Sequence, residues 1–288
     1  MTNPPEQDQT QTAPPVCYRH PGRTTYVSCV RCGKPACPDC LRPAAVGHQC
    51  VECIRSGNRT VRLPAGRFGG TVSSQARVTQ VLVGINLAMY LVLLAYPSLA
   101  NDWYIAGNPV AAGQWYRLIT SAFLPPTGFL GLLDIAFNMW ALVIVGPAME
   151  RQLGGLRYLA VYLASAIGGS VSYIFLAQPN QGALGASGAI FGLFGAWFVI
   201  SRRLGLDSRG VVFLIVINLA LGFVGARFIG WQAHVGGLVT GAVLTAAYVY
   251  APRQRRGAIQ LAATVAVLAL LALGVIIRDQ QLVGAVLA

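Results

Sequence analysis

Seven apolar segments fill the chain from residue 78 onward, separated by short polar or basic stretches. Most of them approach the roughly 20 residues that a helix needs to cross a bilayer. None alternates polar and apolar residues with the period of a β-strand, which argues against a β-barrel. The pattern therefore predicts transmembrane helices at Val78–Pro97, Gly128–Met149, Leu156–Ala177, Gly185–Ile200, Val211–Phe228, Trp231–Tyr250 and Ala258–Ile277.

Composition divides the chain into two chemically different regions. Of its 288 residues, 55% are hydrophobic and only 10% are charged, against about 25% charged in ordinary soluble domains. The 7 cysteines all lie between Cys17 and Cys53. We predict a disordered polar tail without a secretory signal at 1–15, a cysteine-rich module at 16–54, a basic linker at 55–77, a membrane domain at 78–277 and a C-terminal tail at 278–288.

The net charge of +12 is carried almost wholly by arginine. Such a charge can indicate nucleic-acid binding, but these arginines flank apolar segments, so a membrane is the better partner and no nucleic acid is expected. With a cytoplasmic N-terminus the inner loops hold most arginines, and the C-terminus lies outside, in the plasma (inner) membrane. The inner set is Arg151, Arg157, Arg202, Arg203, Arg209, Arg253, Arg255 and Arg256, and the outer set is Arg117, Arg227 and Arg278.

Four pairs of potential metal ligands share a spacing of two intervening residues: Cys17/His20, Cys29/Cys32, Cys37/Cys40 and Cys50/Cys53. Two such pairs complete a tetrahedral zinc shell, so the module is expected to hold two structural zinc ions. Pairing the first with the third and the second with the fourth would tie a core-poor segment together. A disulfide framework is the alternative, and the odd cysteine number disfavours it. His48 breaks the spacing and is expected at the surface.

The module resembles a B-box-like zinc finger, a class that recognises proteins. This resemblance implies a cytosolic protein as a possible partner of the module.

Ser187 lies between glycines at the head of the fourth apolar segment, and His234 lies at the head of the sixth. Counting about 1.5 Å per residue from the inner ends places both in the outer third of the bilayer. Gly188/Gly192 and Gly237/Gly241 are small-xxx-small pairs, which let two helices approach closely in lipid. We therefore predict that Ser187 and His234 meet as a nucleophile and its base, without an aspartate to complete a triad.

Less specific interpretations exist for both residues. A serine in a glycine-rich helix more often serves packing, whereas an ionisable residue in a membrane span is expensive and usually functional. A transporter is disfavoured because the sequence shows no inverted repeat and no paired intramembrane charges.

Four stretches together resemble the signature motifs of the rhomboid family of intramembrane serine proteases. They cover about residues 78–250 in the right order, and they imply an all-α, six-helix membrane bundle, here with a seventh C-terminal transmembrane helix and a preceding zinc module. The stretches are Gln114-Trp115-Tyr116-Arg117, Phe137-Asn138-Met139-Trp140, Gly185-x-Ser187-Gly188 and Ala233-His234-x-x-Gly237-x-x-x-Gly241.

The resemblance implies that Ser187 is the nucleophile and His234 the general base in cleavage of transmembrane substrates near their outer end. Asn138 and the Ser187 backbone N–H would form the oxyanion hole, and catalysis would need no cofactor. Gly185 would support the site, and Trp115 and Arg117 would brace the first outer loop. Substrate would enter beside the fifth span, with Phe213, Phe223 and Phe228, and the loop at Trp231. The alternative is a catalytically silent relative that binds or escorts membrane clients.

One position departs from the family pattern. Rhomboids commonly have a histidine four residues before the oxyanion asparagine, and this chain has Asp134 there. An ionised carboxylate would repel the developing negative charge, whereas a protonated one could donate a hydrogen bond to it. We expect Asp134 either to be protonated or to be turned away from Ser187.

Overall fold

The computed structural model describes residues 14–60, 66–70, 75–225 and 230–287. The chain divides into two compact units, Met1–Arg62 and Leu63–Ala288. Most of the predicted N-terminal tail lies outside the described residues, as do Arg62 in the predicted linker and Arg227 and Phe228 after the fifth span.

The first unit is built from two small hairpins and one helix. Strand β1 (Val16–Cys17) pairs antiparallel with β2 (His20–Thr24), and β3 (Leu41–Pro43) pairs antiparallel with β4 (His48–Cys50). Helix α1 (Val51–Thr60) follows β4 directly. Three cysteines, Ala36 and Leu41 make up the buried cluster of this unit, so it has little hydrophobic core of its own.

The second unit is helical, and each of the seven apolar segments contains a helix. Five of these helices are long and apolar enough to cross a membrane, which makes the chain a multi-pass membrane protein of the predicted fold class. The remaining two helices, with 18 and 16 residues, are shorter. The seven are α2 (Arg77–Ala95), α6 (Gly128–Leu153), α7 (Gly155–Leu176), α8 (Ser187–Leu204), α9 (Arg209–Val224), α10 (Trp231–Tyr250) and α11 (Arg256–Leu287).

Two predicted boundaries differ from the structure. Helix α1 extends into the predicted linker, and α11 runs through the predicted C-terminal tail as far as Leu287. The predicted span ends before the polar residues Arg278–Gln281, but these include no proline, and the chain is again apolar from Leu282 onward, so the helix continues.

Helices α7, α8 and α10 form the centre of the membrane unit, where glycines bring their backbones together. A Cβ atom added at Gly237 would collide with the Gly188 carbonyl, and one at Gly241 would collide with the Gly192 carbonyl. On the α7 side, a Cβ at Gly169 would lie 2.8 Å from the Ala233 carbonyl oxygen. Only glycine permits these approaches, and they fix the start of α8 beside the start of α10.

The N-terminus of α2 is joined to the C-terminal part of α6 by a buried carboxylate. Glu150 accepts hydrogen bonds from the Val78 N–H at 3.1 Å, the Thr79 N–H at 3.0 Å and the Thr79 hydroxyl at 2.9 Å. These N–H groups begin α2 and have no partner within the helix, so Glu150 caps it.

Three short helices connect α2 to α6: α3 (Leu99–Trp103), α4 (Gly107–Ala111) and α5 (Arg117–Thr120). This connection packs against α7 and α11, in part through the buried side chains of Ile105 and Val110.

Candidate active site and metal-binding groups

Ser187 and His234 are in direct contact. The first residue of α8 is Ser187, and His234 lies in the first turn of α10, so both side chains are at the same end of the central helices. The His234 Nε2 atom lies 2.9 Å from the Ser187 Oγ atom, a hydrogen-bond distance. The imidazole is 6% exposed. A nucleophilic hydroxyl and a base therefore meet in a buried, apolar setting.

The imidazole ring is held by stacking. Phe191 lies one turn after Ser187 in α8, and its ring stacks on His234 with centroids 4.2 Å apart and an interplanar angle of 8°. The His234 Nδ1 atom is buried and has no hydrogen-bond partner among the described residues. Among the described residues, no third side chain therefore orients the imidazole by a hydrogen bond to Nδ1. Phe191 was not predicted to be a site residue, although its spacing from Ser187 places it on the same face of α8.

The loop before α8 is fixed by hydrogen bonds to the connection between α2 and α6. Gly185 has φ +133°, a conformation that side-chain-bearing residues rarely adopt. Its N–H donates to the Ser121 carbonyl at 2.9 Å, and Ile105 and Ala183 exchange two backbone hydrogen bonds, both at 2.9 Å. Gly185 therefore allows the sharp approach to Ser187 that this anchored loop requires.

A small pocket lies beside Ser187. It is bordered by the α5 end of the connection, the loop before α8, and the helices α7, α8 and α10. Its water-accessible volume of about 30 Å³ is enough for one or two water molecules.

Arg117 joins several parts of the connection between α2 and α6. Its guanidinium donates to Gln114 Oε1 at 2.6 Å and to the carbonyls of Asn101 and Tyr104 at 3.0 Å each. The side chain is buried and lies over the Tyr104 ring. Trp115, by contrast, is 43% exposed. Of the two residues expected to brace this loop, Arg117 makes the bracing contacts.

Asp134 and Asn138 lie one turn apart on α6, and the Asn138 side chain is buried and interacts with the Asp134 carboxyl group. The Asp134 Oδ2 atom is buried without a hydrogen-bond partner in the described part of the chain. A Cβ atom built on Gly185 would lie 3.7 Å from both this oxygen and Ser187 Oγ. The carboxyl group therefore faces the site and is not turned away from it.

Helix α9 is loosely packed, with Val211 and Gly222 as its buried residues. The aromatic residues expected along a substrate path, Phe213 and Phe223, are exposed. The Phe223 ring packs against Trp231 at the start of α10, with centroids 4.4 Å apart.

The eight potential metal ligands of the first unit form two groups. Within each group the ligand atoms lie within 4.8 Å of one another, so each could hold a metal ion. The members are Cys17, His20, Cys37 and Cys40 in one group and Cys29, Cys32, Cys50 and Cys53 in the other. This is the interleaved grouping of the four pairs that was expected from the sequence. The cysteines are unpaired, and His48 is exposed.

The spacing of the ligand atoms fits tetrahedral zinc. Bonds of about 2.3 Å to sulfur and about 2.0 Å to nitrogen separate the ligands of such a site by about 3.5 to 3.8 Å. His20 Nδ1 lies 3.3 Å from Cys37 Sγ, 3.4 Å from Cys40 Sγ and 3.8 Å from Cys17 Sγ. The imidazole thus faces its group through Nδ1, a detail that sequence spacing does not reveal.

In the second group the Cys32 and Cys50 sulfurs are 3.8 Å apart, and backbone N–H groups favour the thiolate form of Cys29. The Cys50 N–H donates to Cys29 Sγ at 3.2 Å, and it is the strongest of several hydrogen bonds that lower the pKa of the Cys29 thiol to about 6. A thiolate is the form that binds a metal.

Comparison with known proteins places the membrane unit in a family. Residues 112–251 match the Rhomboid domain model. The chain is 40% identical over 144 residues to the rhomboid protease GluP of Bacillus subtilis, covering 48% of this chain and 27% of that protein. It is 37% identical over 141 residues to YdcA of Bacillus subtilis, which is also named as a rhomboid protease. This match covers 47% of this chain and 68% of YdcA.

A plant relative is similar over the same extent. The chain is 34% identical over 151 residues to RHOMBOID-like protein 6, mitochondrial, of Arabidopsis thaliana, covering 49% of this chain and 45% of that protein. The similarity thus spans about half of this chain, and only about a quarter of the length of GluP.

Proposed function

This chain belongs to the rhomboid family, and on that premise we propose that it is an intramembrane serine endopeptidase with Ser187 as nucleophile and His234 as general base. Its substrates are transmembrane segments of membrane proteins, cut near their outer end. The observation that carries the proposal is the 2.9 Å contact between His234 Nε2 and Ser187 Oγ at the head of two apolar helices.

In the proposed reaction, His234 Nε2 takes the Ser187 hydroxyl proton as Oγ attacks the scissile carbonyl carbon. The tetrahedral intermediate collapses to an acyl-enzyme, and the imidazolium returns the proton to the leaving amine. A water molecule in the pocket beside Ser187 then gives a proton to His234 and attacks the ester. The second tetrahedral intermediate breaks down as the imidazolium returns its proton to Ser187 Oγ, which releases the new carboxyl terminus and restores the free serine and neutral His234.

The negative charge on the intermediate needs hydrogen-bond donors. Ser187 begins α8, so its backbone N–H has no acceptor in the preceding helical turn and can serve as one donor. We assign the second to Asn138 and a further one to protonated Asp134, whose buried Oδ2 lacks a partner in the described residues. Gly185 and Arg117 support the loops around this site.

The proposed topology follows the arginine distribution. The N-terminus lies in the cytoplasm, the C-terminus outside, and the dyad in the outer part of the plasma (inner) membrane. Arg202 and Arg203 in the last turn of α8, and Arg253 in the turn that follows α10, lie at the end opposite Ser187, which in this topology faces the cytoplasm.

The first unit is proposed to bind two structural zinc ions through its two ligand groups. Zinc would supply cross-links between loops that share little hydrophobic core, and catalysis would not involve it. The cross-linked unit would present a surface for a cytosolic protein.

Active-site labelling tests the proposed activity. A serine-directed fluorophosphonate should label the full-length protein in membranes, and Ser187→Ala should abolish labelling. Ser201→Ala is the matched control, because Ser201 is buried in the same helix at its other end, and it should retain labelling. Labelling that survives Ser187→Ala would refute the nucleophile assignment. A folded wild-type protein that is never labelled would favour the alternative, a silent relative that binds or escorts membrane clients.

A further inference from the structure

A tight turn at the end of the bundle opposite Ser187 is fixed in place by two helices. Gly66 N–H donates to the Gly70 carbonyl and Gly69 N–H donates to the Gly66 carbonyl, both at 2.9 Å. The Phe68 side chain is buried in the main core, and the Gln260 amide of α11 donates to the Phe68 carbonyl at 2.9 Å. The segment Gly66–Gly70, named here the glycine turn, is therefore an ordered part of the membrane unit.

Two arginines from different helices converge on the glycine turn. Arg157 lies in the first turn of α7, and Arg256 is the first residue of α11. From the position of a Cβ atom added at Gly69, Arg256 Cδ is 3.3 Å away and Arg157 Nη2 is 3.5 Å away. The two cationic side chains thus lie next to each other.

Neutral groups hold these arginines in place without cancelling their charge. Arg157 Nε donates to Gln260 Oε1 at 2.5 Å, and Arg256 Nη1 donates to the Arg67 carbonyl at 3.3 Å. The Arg256 Nε atom is buried and has no hydrogen-bond partner in the described residues. Two adjacent positive charges repel each other, and a buried donor without an acceptor is costly.

Carboxylates do not neutralise this pair. Within the described part of the membrane unit, no arginine makes an ion pair with an acidic side chain. At this end of the bundle, the buried Glu150 carboxylate already accepts hydrogen bonds from the first N–H groups of α2. Asp207 is exposed and accepts a hydrogen bond from the Arg209 N–H. Both guanidinium groups therefore remain available to an anion from outside the protein.

The glycines make room for the Arg157 guanidinium. Gly69 and Gly70 have φ values of 94° and 86°, and a Cβ atom at Gly70 would collide with Arg157 Nη1. A larger residue at position 70 would therefore push the Arg157 guanidinium out of its place.

We propose that Arg157, Arg256 and the glycine turn bind the phosphate group of an anionic phospholipid. Guanidinium groups match phosphate oxygens in geometry and charge. The site lies at the ends of membrane-spanning helices, where lipid headgroups are found, which favours a lipid over free phosphate as the source. The bound lipid would hold the segment that follows the first unit against the bundle. The proposal is independent of the catalytic assignment.

Native mass spectrometry of the delipidated full-length protein tests this site, with phosphatidylglycerol and phosphatidylcholine as probes. Phosphatidylglycerol should bind more tightly, and Arg157→Gln and Arg256→Gln should each weaken its binding about fivefold. Arg151→Gln is the matched control, since Arg151 is an exposed arginine at the same end of the bundle, and it should leave binding unchanged. If Arg157→Gln does not fold, Arg157→Lys keeps the charge without the planar fork and should give a smaller loss.

Two results would overturn the site. Equal binding of both lipids would exclude charge recognition, and an equal loss in Arg151→Gln and Arg256→Gln would show a diffuse basic surface. A second arm measures thermal unfolding with inorganic phosphate at constant ionic strength. Stabilisation by phosphate equal to that by phosphatidylglycerol, and lost in Arg256→Gln, would keep the phosphate chemistry but overturn the lipid as its source.

Discussion

At the scale of single residues, the proposed site contains polar side chains that are costly to bury in apolar surroundings. The Ser187 hydroxyl and the His234 Nε2 atom satisfy each other, but Asp134 Oδ2 and His234 Nδ1 have no partner in the described residues. A buried polar atom without a partner costs free energy. The proposed mechanism uses Asp134 as a donor to an oxyanion that exists only during the reaction, which explains why its Oδ2 atom has no partner at rest.

The Asp134 assignment predicts a dependence of rate on pH. The protonated acid donates to the oxyanion and the ionised form repels it, so wild-type kcat/KM should fall as the pH rises through the ionisation of Asp134. Asp134→Asn keeps an N–H donor that cannot ionise, so this variant should retain its rate at alkaline pH. The measurement is cleavage of a transmembrane substrate in proteoliposomes across the pH range. If kcat/KM of the wild type and of Asp134→Asn changed identically at alkaline pH, Asp134 would not be a donor to the oxyanion.

The stacking of Phe191 on His234 predicts a loss of rate when the ring is removed. An aromatic pair contributes about 0.5–1.5 kcal/mol beyond its buried area, so Phe191→Leu should lower kcat about fivefold with little change in KM. Phe194→Leu is the control, because Phe194 is buried in the same helix and touches Phe191 at a centroid distance of 5.8 Å. If both variants lose the same activity, the cause is core packing and not the position of the imidazole.

At the scale of helices, the approach of α8 to α10 determines whether the dyad can form. Gly237 lies against the Gly188 carbonyl, so Gly237→Ala should force the helices apart at the level of Ser187. We expect kcat to fall about a hundredfold, because small displacements of reacting groups are costly. The free energy of unfolding should fall by about 1–3 kcal/mol.

Gly84→Ala is the control for this prediction, since a Cβ atom on Gly84 in α2 meets no other atom within 4 Å. Steady-state cleavage and thermal unfolding of both variants in the same detergent provide the comparison. Full activity in Gly237→Ala would show that the close approach is not required for the contact between Ser187 and His234.

The sequence predicted the helices more completely than it predicted their contacts. Apolar segments and glycine spacing are local signals, so they indicated the seven helices and the approach of α8 to α10. Other contacts join residues that are distant in sequence or depend on side-chain rotamers. They are the stacking of Phe191 on His234, the Glu150 cap on α2 and the convergence of Arg157 with Arg256. Nothing in the local pattern specifies these contacts. The extension of α11 past Arg278 was missed because an apolar pattern marks burial in lipid and not the end of a helix.

At the scale of the whole molecule, the two units are stabilised by different physics. The membrane unit buries large apolar and aromatic side chains such as Tyr158, Tyr162 and Leu193 between its helices. The first unit buries chiefly its own cysteines, so the proposed metal ions would supply much of its folding free energy. Loss of metal should therefore unfold one unit and leave the other intact.

Metal removal and ligand substitution test this division in the full-length protein. The purified chain should carry zinc in both groups, and His20→Ala should lose the ion held with Cys17, Cys37 and Cys40. His48→Ala is the matched control, because His48 is an exposed histidine of the same unit outside both groups. It should keep the full zinc content.

Strong chelators, or acid pH that protonates the thiolates, should release zinc and make residues 14–60 sensitive to protease, while the membrane unit stays resistant. Elemental analysis and limited proteolysis measure the two effects. Equal zinc content in His20→Ala and His48→Ala, or unchanged protease resistance after zinc removal, would contradict a metal-stabilised first unit.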